Sequence, residues 1–352
     1  MSSERAADPR RVALTEHRNA FDLIRLGAAG SVLLSHGFGL NGRPEPQVAP
    51  GITLGGLAVF VFFSTSGYLV MQAWQRNPSA GAFLRNRALR IFPGLIVAVL
   101  ICALVVGPLS TSRTLPEYFA AGDVIARYVV SNWALRVVNG LPGVFETVVA
   151  RGSVNDALWT IPHEFACYLL VCLAAGRLGA LWLLCALTLP FAFAFSVFGW
   201  SIDEPLGLPG AYRFSLSQFG RMSLFFWSGA LLAAYRIEPA IRPMAVAAAL
   251  LVAAAGTPAF VPIAWVALPY LVVGIGRARM PSAPRADLSY GVYLYAFPVQ
   301  QLVVQAGVTN LAASILLTAA ATLGLAAASW RLVERPALAF KTARRPGLSA
   351  QT

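Results

Sequence analysis

The sequence predicts an all-α integral membrane protein, a helical bundle that crosses a bilayer about ten times with both termini in the cytoplasm. Three observations predict this class. Apolar residues make up 57% of the 352 residues and charged residues only 12%, whereas soluble domains are about 45–50% apolar and about 25% charged. The apolar residues fall into ten runs. The basic residues are distributed unevenly between the segments that join those runs.

The ten runs are close to the length that a spanning helix requires, which is about 20 apolar residues. Glycine and proline residues interrupt the chain between them, as at Gly42, Pro205 and Pro281. The seventh and eighth runs are short and nearly fused, so a tight hairpin is expected at 256–258. The predicted spans are 20–41, 52–74, 88–110, 158–175, 179–199, 218–236, 242–257, 259–276, 288–307 and 311–333.

The basic residues support an even number of spans. With a cytoplasmic N-terminus, 19 of the 27 Lys and Arg residues lie in inner segments and 7 in outer segments, and Arg25 lies within the first span. Cytoplasmic loops of membrane proteins carry such an excess. An odd number of spans would place Arg344 and Arg345 outside. The net charge of +12 therefore reflects topology, and no nucleic-acid partner is expected.

The spans predict a single transmembrane domain over residues 20–336. A cytoplasmic arm (1–19) precedes it and a basic cytoplasmic tail (337–352) follows it. The long loop 111–157 is predicted to be outer, and its stretch 118–138 predicts a helix that lies at the interface or covers an outer cavity. A composition rich in Ala, Gly and Arg with one Lys suggests a bacterial genome, so the bacterial inner membrane is the expected location. The spacing of the four cysteines predicts no metal site.

Two ionisable residues share one face of the first span. Arg25 and His36 are eleven residues apart, which is close to three full helical turns and places them ~16 Å apart along the axis. Ionisable residues within spans are costly and indicate functional sites. A structural interpretation stays open for both, since Arg25 can snorkel to the inner surface and His36 can be a hydrogen-bonded core residue.

The fourth span carries a carboxylate among polar and aromatic neighbours. Glu164 lies six residues from the predicted outer end, and His36 lies five from the outer end of its own span. We therefore expect the two side chains at the same depth, where Glu164 would orient His36 as a general base. A structural His–Glu pair without chemistry is the alternative. Trp159, His163 and Tyr168 are the neighbours of Glu164 in this span.

Arginines and hydroxyl groups mark two further places. Arg87 and Arg90, beside Arg85, stand at the inner mouth of the third span, where guanidinium groups suit phosphate; anchoring of the topology explains them equally well. Ser64 and Ser66 flank Thr65 in the middle of the second span. Such hydroxyl groups often join membrane helices by hydrogen bonds, or they line a channel.

Six segments, in this order, resemble the membrane-bound acyltransferase family 3. The resemblance covers about residues 19–336. One position differs from the common family pattern, because Ala296 stands where a histidine is frequent. The segments are Asn19-x-x-Asp22-Leu-Ile-Arg25 with His36, Phe62-Phe63-Ser-Thr-Ser66-Gly67-Tyr68-Leu69, Phe83-x-x-x-Arg87-x-x-Arg90-Ile91-x-Pro93, Leu158-Trp159-Thr160-Ile161-Pro162-x-Glu164-x-x-x-Tyr168, Ser289-Tyr290-Gly291-x-Tyr293-Leu294-x-x-Phe297-Pro298 and Glu334-Arg335-Pro336.

The resemblance implies transfer of an acyl group, usually acetyl, from acyl-CoA to a hydroxyl group of a sugar or glycan. Acyl-CoA is then a donor substrate, and no bound cofactor is expected. Arg25, Arg87 and Arg90 would hold the CoA phosphates, and His36 would deprotonate the acceptor. Ser64, Ser66 and Tyr293 would line the donor channel or polarise the carbonyl. Trp159 and Tyr168 would line the acceptor side or the channel. Alternatively, Arg25 contacts a carbonyl or the histidine network.

Three other functions stay open at this stage. The acceptor can be a small metabolite such as an antibiotic. A transporter or flippase is a second possibility, although the sequence lacks the internal repeats that transporters often show. A structural or regulatory membrane protein is the third. The sequence predicts no oligomeric state.

Overall fold

The computed structural model describes residues 20–174, 177–201, 203, 214–278, 280 and 286–341. The predicted arm and residues 342–352 of the predicted tail lie outside this range. Within it the chain is mostly helical, and its one sheet is a two-stranded antiparallel hairpin of β1 (Gln47–Ala49) and β2 (Ile52–Thr53). The predicted all-α class is confirmed.

All ten predicted runs form helices, and two π-helical turns and one 3₁₀ turn extend them. The π turns are Cys102–Val106 and Trp330–Glu334, and the 3₁₀ turn is Asp156–Trp159. The helices are α1 (Phe21–Leu40), α2 (Leu54–Arg76), α3 (Ala80–Ile101), α4 (Gly107–Ser110), α5 (Leu115–Ala120), α6 (Gly122–Trp133), α7 (Thr160–Ala174), α8 (Leu178–Phe198), α9 (Leu216–Ala234), α10 (Ile241–Ala254), α11 (Phe260–Gly276), α12 (Ser289–Gln305), α13 (Leu311–Ser329) and α14 (Arg335–Ala339).

Six helical segments in the described part of the chain are long and apolar enough to cross a membrane. Helices α10 and α11 are apolar but shorter. Helices α9 and α12 carry more polar groups, such as Ser223, Gln300 and Gln301, which are fully buried inside the bundle. The count of ten spans and the position of the termini stay predictions. The six are Phe21–Leu40, Leu54–Arg76, Ala80–Ser110, Asp156–Ala174, Leu178–Phe198 and Leu311–Ala339.

Helix α2 lies at the centre of the bundle and packs most closely against α9. A Cβ atom added to Gly67 would lie 1.9 Å from the carbonyl oxygen of Phe226. A Cβ atom added to Gly229 would lie 2.3 Å from the carbonyl oxygen of Ser64. Small residues permit this approach of two backbones, as is common between membrane helices. The crossing holds the polar segment of α2 in a fixed position.

The helix predicted within the loop 111–157 is present as α6. Its residues Ile125, Tyr128 and Asn132 are buried against the bundle. The hydroxyl group of Tyr118, in α5, donates a 2.7 Å hydrogen bond to the carbonyl oxygen of Ala103. These contacts join the loop to α3 and to the π turn that follows it.

The contact between α2 and α9 predicts that one methyl group added at Gly67 destabilises the protein. We expect Gly67→Ala to lower the apparent Tm of the detergent-solubilised protein by about 5 °C or more, because overpacking costs about 1–3 kcal/mol. The matched control is Gly30→Ala in α1, where a Cβ atom meets nothing within 4 Å. An equal fall in both variants would contradict the close approach.

Candidate active site

Four charged side chains form one ion-pair cluster at the start of α1 and α12. Nη1 of Arg25 lies 2.6 Å from Oδ2 of Asp287, and Nη2 of Arg90 donates to the same oxygen. Nη1 of Arg90 lies 3.7 Å from Oε2 of Glu334, which the second π turn directs inward. Burial would raise the pKa of the Asp287 carboxyl group, but Arg25 and Arg90 hold this pKa well below its usual range. The cluster therefore ties α1, α3, α12 and the second π turn together.

Arg87 is the predicted phosphate-binding arginine without a counter-charge. Its guanidinium carbon lies 5.8 Å from the ring centroid of Phe83 and 5.9 Å from that of Tyr168. Its Nε is buried and has no hydrogen-bond partner, and Arg87 forms no ion pair with another described residue. A buried cation without an acceptor is costly. Arg87 is consequently poised to receive an anion.

A cavity of about 310 Å³ lies beside this cluster; we call it the inner cavity. Its wall carries five cationic side chains and two carboxylates, so its charge is positive. Arg76 and Lys341 are its exposed cationic members, and they mark its mouth. The polar and aromatic residues of the wall are Arg25, Thr65, Ser66, Arg76, Arg87, Arg90, Glu164, Tyr168, Asp287, Tyr290, Trp330 and Lys341.

A second, narrower space continues from the inner cavity. This deep cavity holds about 40 Å³, which is room for ~3 water molecules. The two cavities share Arg25, Glu164 and Tyr290 as lining residues, so they meet at these three side chains. The remaining wall of the deep cavity consists of Val59, Phe62, Phe63, Thr160, Ile161, Ser289 and Tyr293.

Glu164 is held by one carboxylate oxygen at this junction. Its Oε1 accepts hydrogen bonds from Ser66 and from Tyr168, the latter at 2.6 Å. Its Oε2 has no hydrogen-bond partner among the described residues. One oxygen therefore fixes the side chain, and the other is free to receive a proton or a donor group.

Tyr293 lines the deep cavity but its hydroxyl group is already engaged. It donates to the carbonyl oxygen of Ala157 at 2.7 Å and lies 2.6 Å from the Oγ1 of Thr160. The ring of Phe62 packs edge-on against it. These contacts connect α12 to the 3₁₀ turn and the start of α7 at the wall of the deep cavity.

The structure does not pair His36 with Glu164, and the expectation of equal depth was wrong. His36 lines neither cavity, and its ring lies edge-on to Phe297 at 5.3 Å between centroids. Helices α1 and α12 run parallel, since Arg25 meets Asp287 at one end and His36 meets Phe297 about ten residues further on. His36 therefore lies one helical turn beyond Tyr293.

The reason for this error lies at the start of α7. The side-chain amide of Asn155 donates a 2.9 Å hydrogen bond to the carbonyl oxygen of Leu294, which lies in the first half of α12. The segment before α7 is thus folded into the bundle, and α7 begins at mid-depth. Counting residues from the helix end therefore placed Glu164 too near the outer surface. Glu164 in fact lies at the level of Arg25.

His36 has a different set of polar neighbours. Its Nδ1 is buried and has no hydrogen-bond partner. The carboxylates that act on it electrostatically are Glu45 and Asp156. Glu45 is fixed by a hydrogen bond from Ser35, and Asp156 accepts a hydrogen bond from Asn139.

Two other predicted site residues line neither cavity. The hydroxyl group of Ser64 donates to the carbonyl oxygen of Phe60 at 2.7 Å, and Ser64 is fully buried at the contact with α9. The ring of Trp159 packs against His163. The Ser64 hydrogen bond stays within α2, and the Trp159–His163 contact stays within the 3₁₀ turn and the first turn of α7.

The structure adds functional candidates that the sequence analysis missed. Asp287 stands just before a span, where a single acidic residue usually indicates only a loop. Lys341 lies in the segment predicted as a solvated tail. Tyr290 belongs to one of the six segments that resemble the family, but the sequence alone predicted no role for it. In the described part of the chain, no group of three or more His, Cys, Asp or Glu residues is arranged to hold a metal ion.

Comparisons with known proteins identify the family of the chain. A family model for the acyltransferase domain of acyltransferase family 3 matches residues 18–332. The chain is 31% identical over 339 residues to an O-acetyl transferase of Shigella phage Sf6, covering 94% of this chain and 98% of that protein. It is 27% identical over 360 residues to nodulation protein 10 of Rhizobium leguminosarum bv. viciae, covering 93% and 95% respectively.

No solved structure matches the chain. The family match nevertheless covers most of the sequence and includes every helix from α1 to α13. The chain therefore belongs to acyltransferase family 3 and is an O-acyltransferase.

Proposed function

We propose that the protein transfers an acyl group, acetyl in the first instance, from acyl-CoA to a hydroxyl group of a sugar or glycan at the membrane. The observation that carries this proposal is the cationic inner cavity, which narrows onto Glu164. CoA has a pyrophosphate and a 3′-phosphate at one end and the thioester at the other. A cationic chamber with a narrow extension suits that shape. The name of the phage relative, O-acetyl transferase, supports acetyl as the group.

We place the protein in the bacterial inner membrane with ten spans and both termini in the cytoplasm. The excess of basic residues in the inner segments supports this topology. Arg76 and Lys341, at the mouth of the inner cavity, belong to those inner segments. The mouth then opens to the cytosol, where acyl-CoA is present.

In this proposal Arg87 makes the main contact with the donor phosphates. It has no counter-charge, and a guanidinium group suits phosphate geometry. Arg25 and Arg90 share Asp287, so they contribute positive charge with less freedom to move. Ser66 and Thr65 line the path of the pantetheine arm toward the junction.

The acyl transfer takes place at the end of the deep cavity beside Tyr293, one helical turn from His36. The acceptor oxygen attacks the carbonyl carbon of the thioester and loses its proton to a general base. The carbon–sulfur bond then breaks, and CoA leaves as a thiolate that takes up a proton. The deep cavity is narrow and mostly apolar, so it excludes bulk water and limits hydrolysis of the donor.

We assign the general base to His36, because its Nδ1 is buried and free to accept a proton. Glu45 and Asp156 stabilise the imidazolium ion that forms. Glu164 has a positioning role in this scheme, since its Oε1 holds Ser66 and Tyr168 beside Arg87. A second assignment makes Glu164 the base, because its free Oε2 lies at the junction.

The proposed reaction is tested by isotope tracing. Membranes with the wild-type protein receive labelled acetyl-CoA, and glycans and small molecules are analysed by mass spectrometry for base-labile esters. We expect label in a glycan fraction, and we expect His36→Ala to lower it by about 10²–10⁴-fold, the usual loss on removal of a general base. Wild-type label that resides only in small molecules, or no label with any short acyl-CoA, would contradict the proposal.

A pair of substitutions separates the two roles of Glu164. We expect Glu164→Gln to retain activity within about tenfold, because the amide oxygen still accepts from Ser66 and Tyr168. Glu164→Ala leaves both hydroxyl groups without their acceptor and should lose considerably more. Steady-state kcat with acetyl-CoA is the measurement. If both variants lose activity equally, the charge is essential and the base role moves to Glu164.

The role of Arg87 predicts an effect on donor affinity. We expect Arg87→Ala to raise the KM for acetyl-CoA at least tenfold with little change in kcat, because a hydrogen bond to a charged group contributes about 1.5–3 kcal/mol. Arg85→Ala is the matched control, since Arg85 is exposed on the same helix and lines neither cavity. A loss of expression in place of a change in KM would show that Arg87 serves membrane topology.

A further inference from the structure

The segment after α13 forms one wall of the inner cavity. The π turn Trp330–Glu334 and the short helix α14 continue α13 and pack against α3. Trp330, Leu338 and Lys341 all line the cavity. The inward-facing Glu334 contacts Arg90 and accepts a 3.0 Å hydrogen bond from Ser329. These contacts fix the segment, so Lys341 reaches the mouth of the cavity.

Lys341 is one of the cavity cations without a carboxylate partner. Arg25 and Arg90 are paired with Asp287. The ammonium group of Lys341 has no ion pair or hydrogen bond with a described residue. Among the cations that line the cavity, Arg76, Arg87 and Lys341 are therefore available for an anion.

We propose that Lys341 binds the 3′-phosphate of CoA at the mouth of the inner cavity. This inference rests on the proposed function and adds a binding residue to it. The thioester must lie inward, toward Glu164, for transfer to occur. The adenosine 3′-phosphate is at the opposite end of the molecule, so it lies at the mouth, where Lys341 and Arg76 are exposed.

The surroundings of Lys341 make this contact sensitive to pH. Partial burial of the ammonium group and the nearby cations Arg87, Arg90 and Arg25 lower the pKa of Lys341 to about 8. A bound phosphate favours the charged lysine, so affinity is highest below this pKa and falls as pH rises through it. The phosphate itself, with a second pKa of about 6, stays ionised in this range. The charged and titratable groups that surround the site are Arg25, Arg76, Arg87, Arg90, Glu164, Tyr168, Asp287 and Tyr290.

The test measures binding of CoA and of dephospho-CoA to the purified protein in nanodiscs. Dephospho-CoA lacks only the 3′-phosphate. We expect Lys341→Met to raise the Kd for CoA about tenfold at pH 7, as loss of one charge-assisted contact implies. The Kd for dephospho-CoA should stay within about twofold of the wild-type value. Arg335→Met is the matched control, because Arg335 is exposed in the same segment and lines neither cavity.

The pH dependence of binding is tested with the variant Lys341→Arg, which keeps the positive charge at all working pH values. The wild-type Kd for CoA should rise about tenfold as pH increases from 7 to 9, and the Lys341→Arg value should stay nearly flat. A Tm within a few degrees of wild type in all variants confirms that they fold.

Three results would overturn the inference. The first is an unchanged Kd for CoA in Lys341→Met. The second is an equal loss for CoA and dephospho-CoA, which would mean that Lys341 does not contact the 3′-phosphate. The third is an equal loss in Arg335→Met, which would indicate a general effect of charge. If the wild-type protein binds no CoA at all, the donor assignment itself fails, so the two failures are distinguishable.

Discussion

The interaction on which the site depends is the carboxylate of Asp287 between two guanidinium groups, those of Arg25 and Arg90. Burying charges in an apolar bundle is unfavourable unless they are paired. One acidic residue at the start of α12 compensates the positive charges of two arginines, one from α1 and one from α3. It thereby fixes three helices around the inner cavity. Because the carboxylate of Asp287 is paired with Arg25 and Arg90, Arg87 and Lys341 keep uncompensated positive charge, which is the charge that the proposed anionic donor requires.

The same arrangement explains how a membrane bundle can combine two different substrates. The cationic cavity has its mouth at the ends of α2 and α14, and its narrow extension lies between α2, α7 and α12. In the proposed reaction, the donor enters by its acyl end and keeps its phosphates among cations, and the acceptor approaches from the side of His36, beyond Tyr293. The proposed transfer joins the two paths without requiring either substrate to cross the membrane intact.

The sequence predicted much of this site, because charge within apolar spans is rare and each instance is informative. Arg25, Arg87, Arg90, Ser66, Glu164 and Tyr168 do line one cavity. The pairing of His36 with Glu164 was wrong, since α7 begins inside the bundle, where Asn155 bonds to Leu294. The depth at which a helix begins depends on how the preceding loop folds, and helical periodicity does not encode this. Asp287 and Lys341 were missed because residues outside apolar runs resemble ordinary loop charges.

The most direct test of the central claim is the position of a bound donor. A cryo-EM structure with a non-transferable acetyl-CoA analogue, in which carbon replaces the thioester sulfur, would locate both ends of the molecule. The account predicts phosphates within hydrogen-bonding distance of Arg87 and the acyl carbonyl in the deep cavity, at its Tyr293 end. A donor bound outside the inner cavity, or one whose acyl end points toward Lys341, would contradict it.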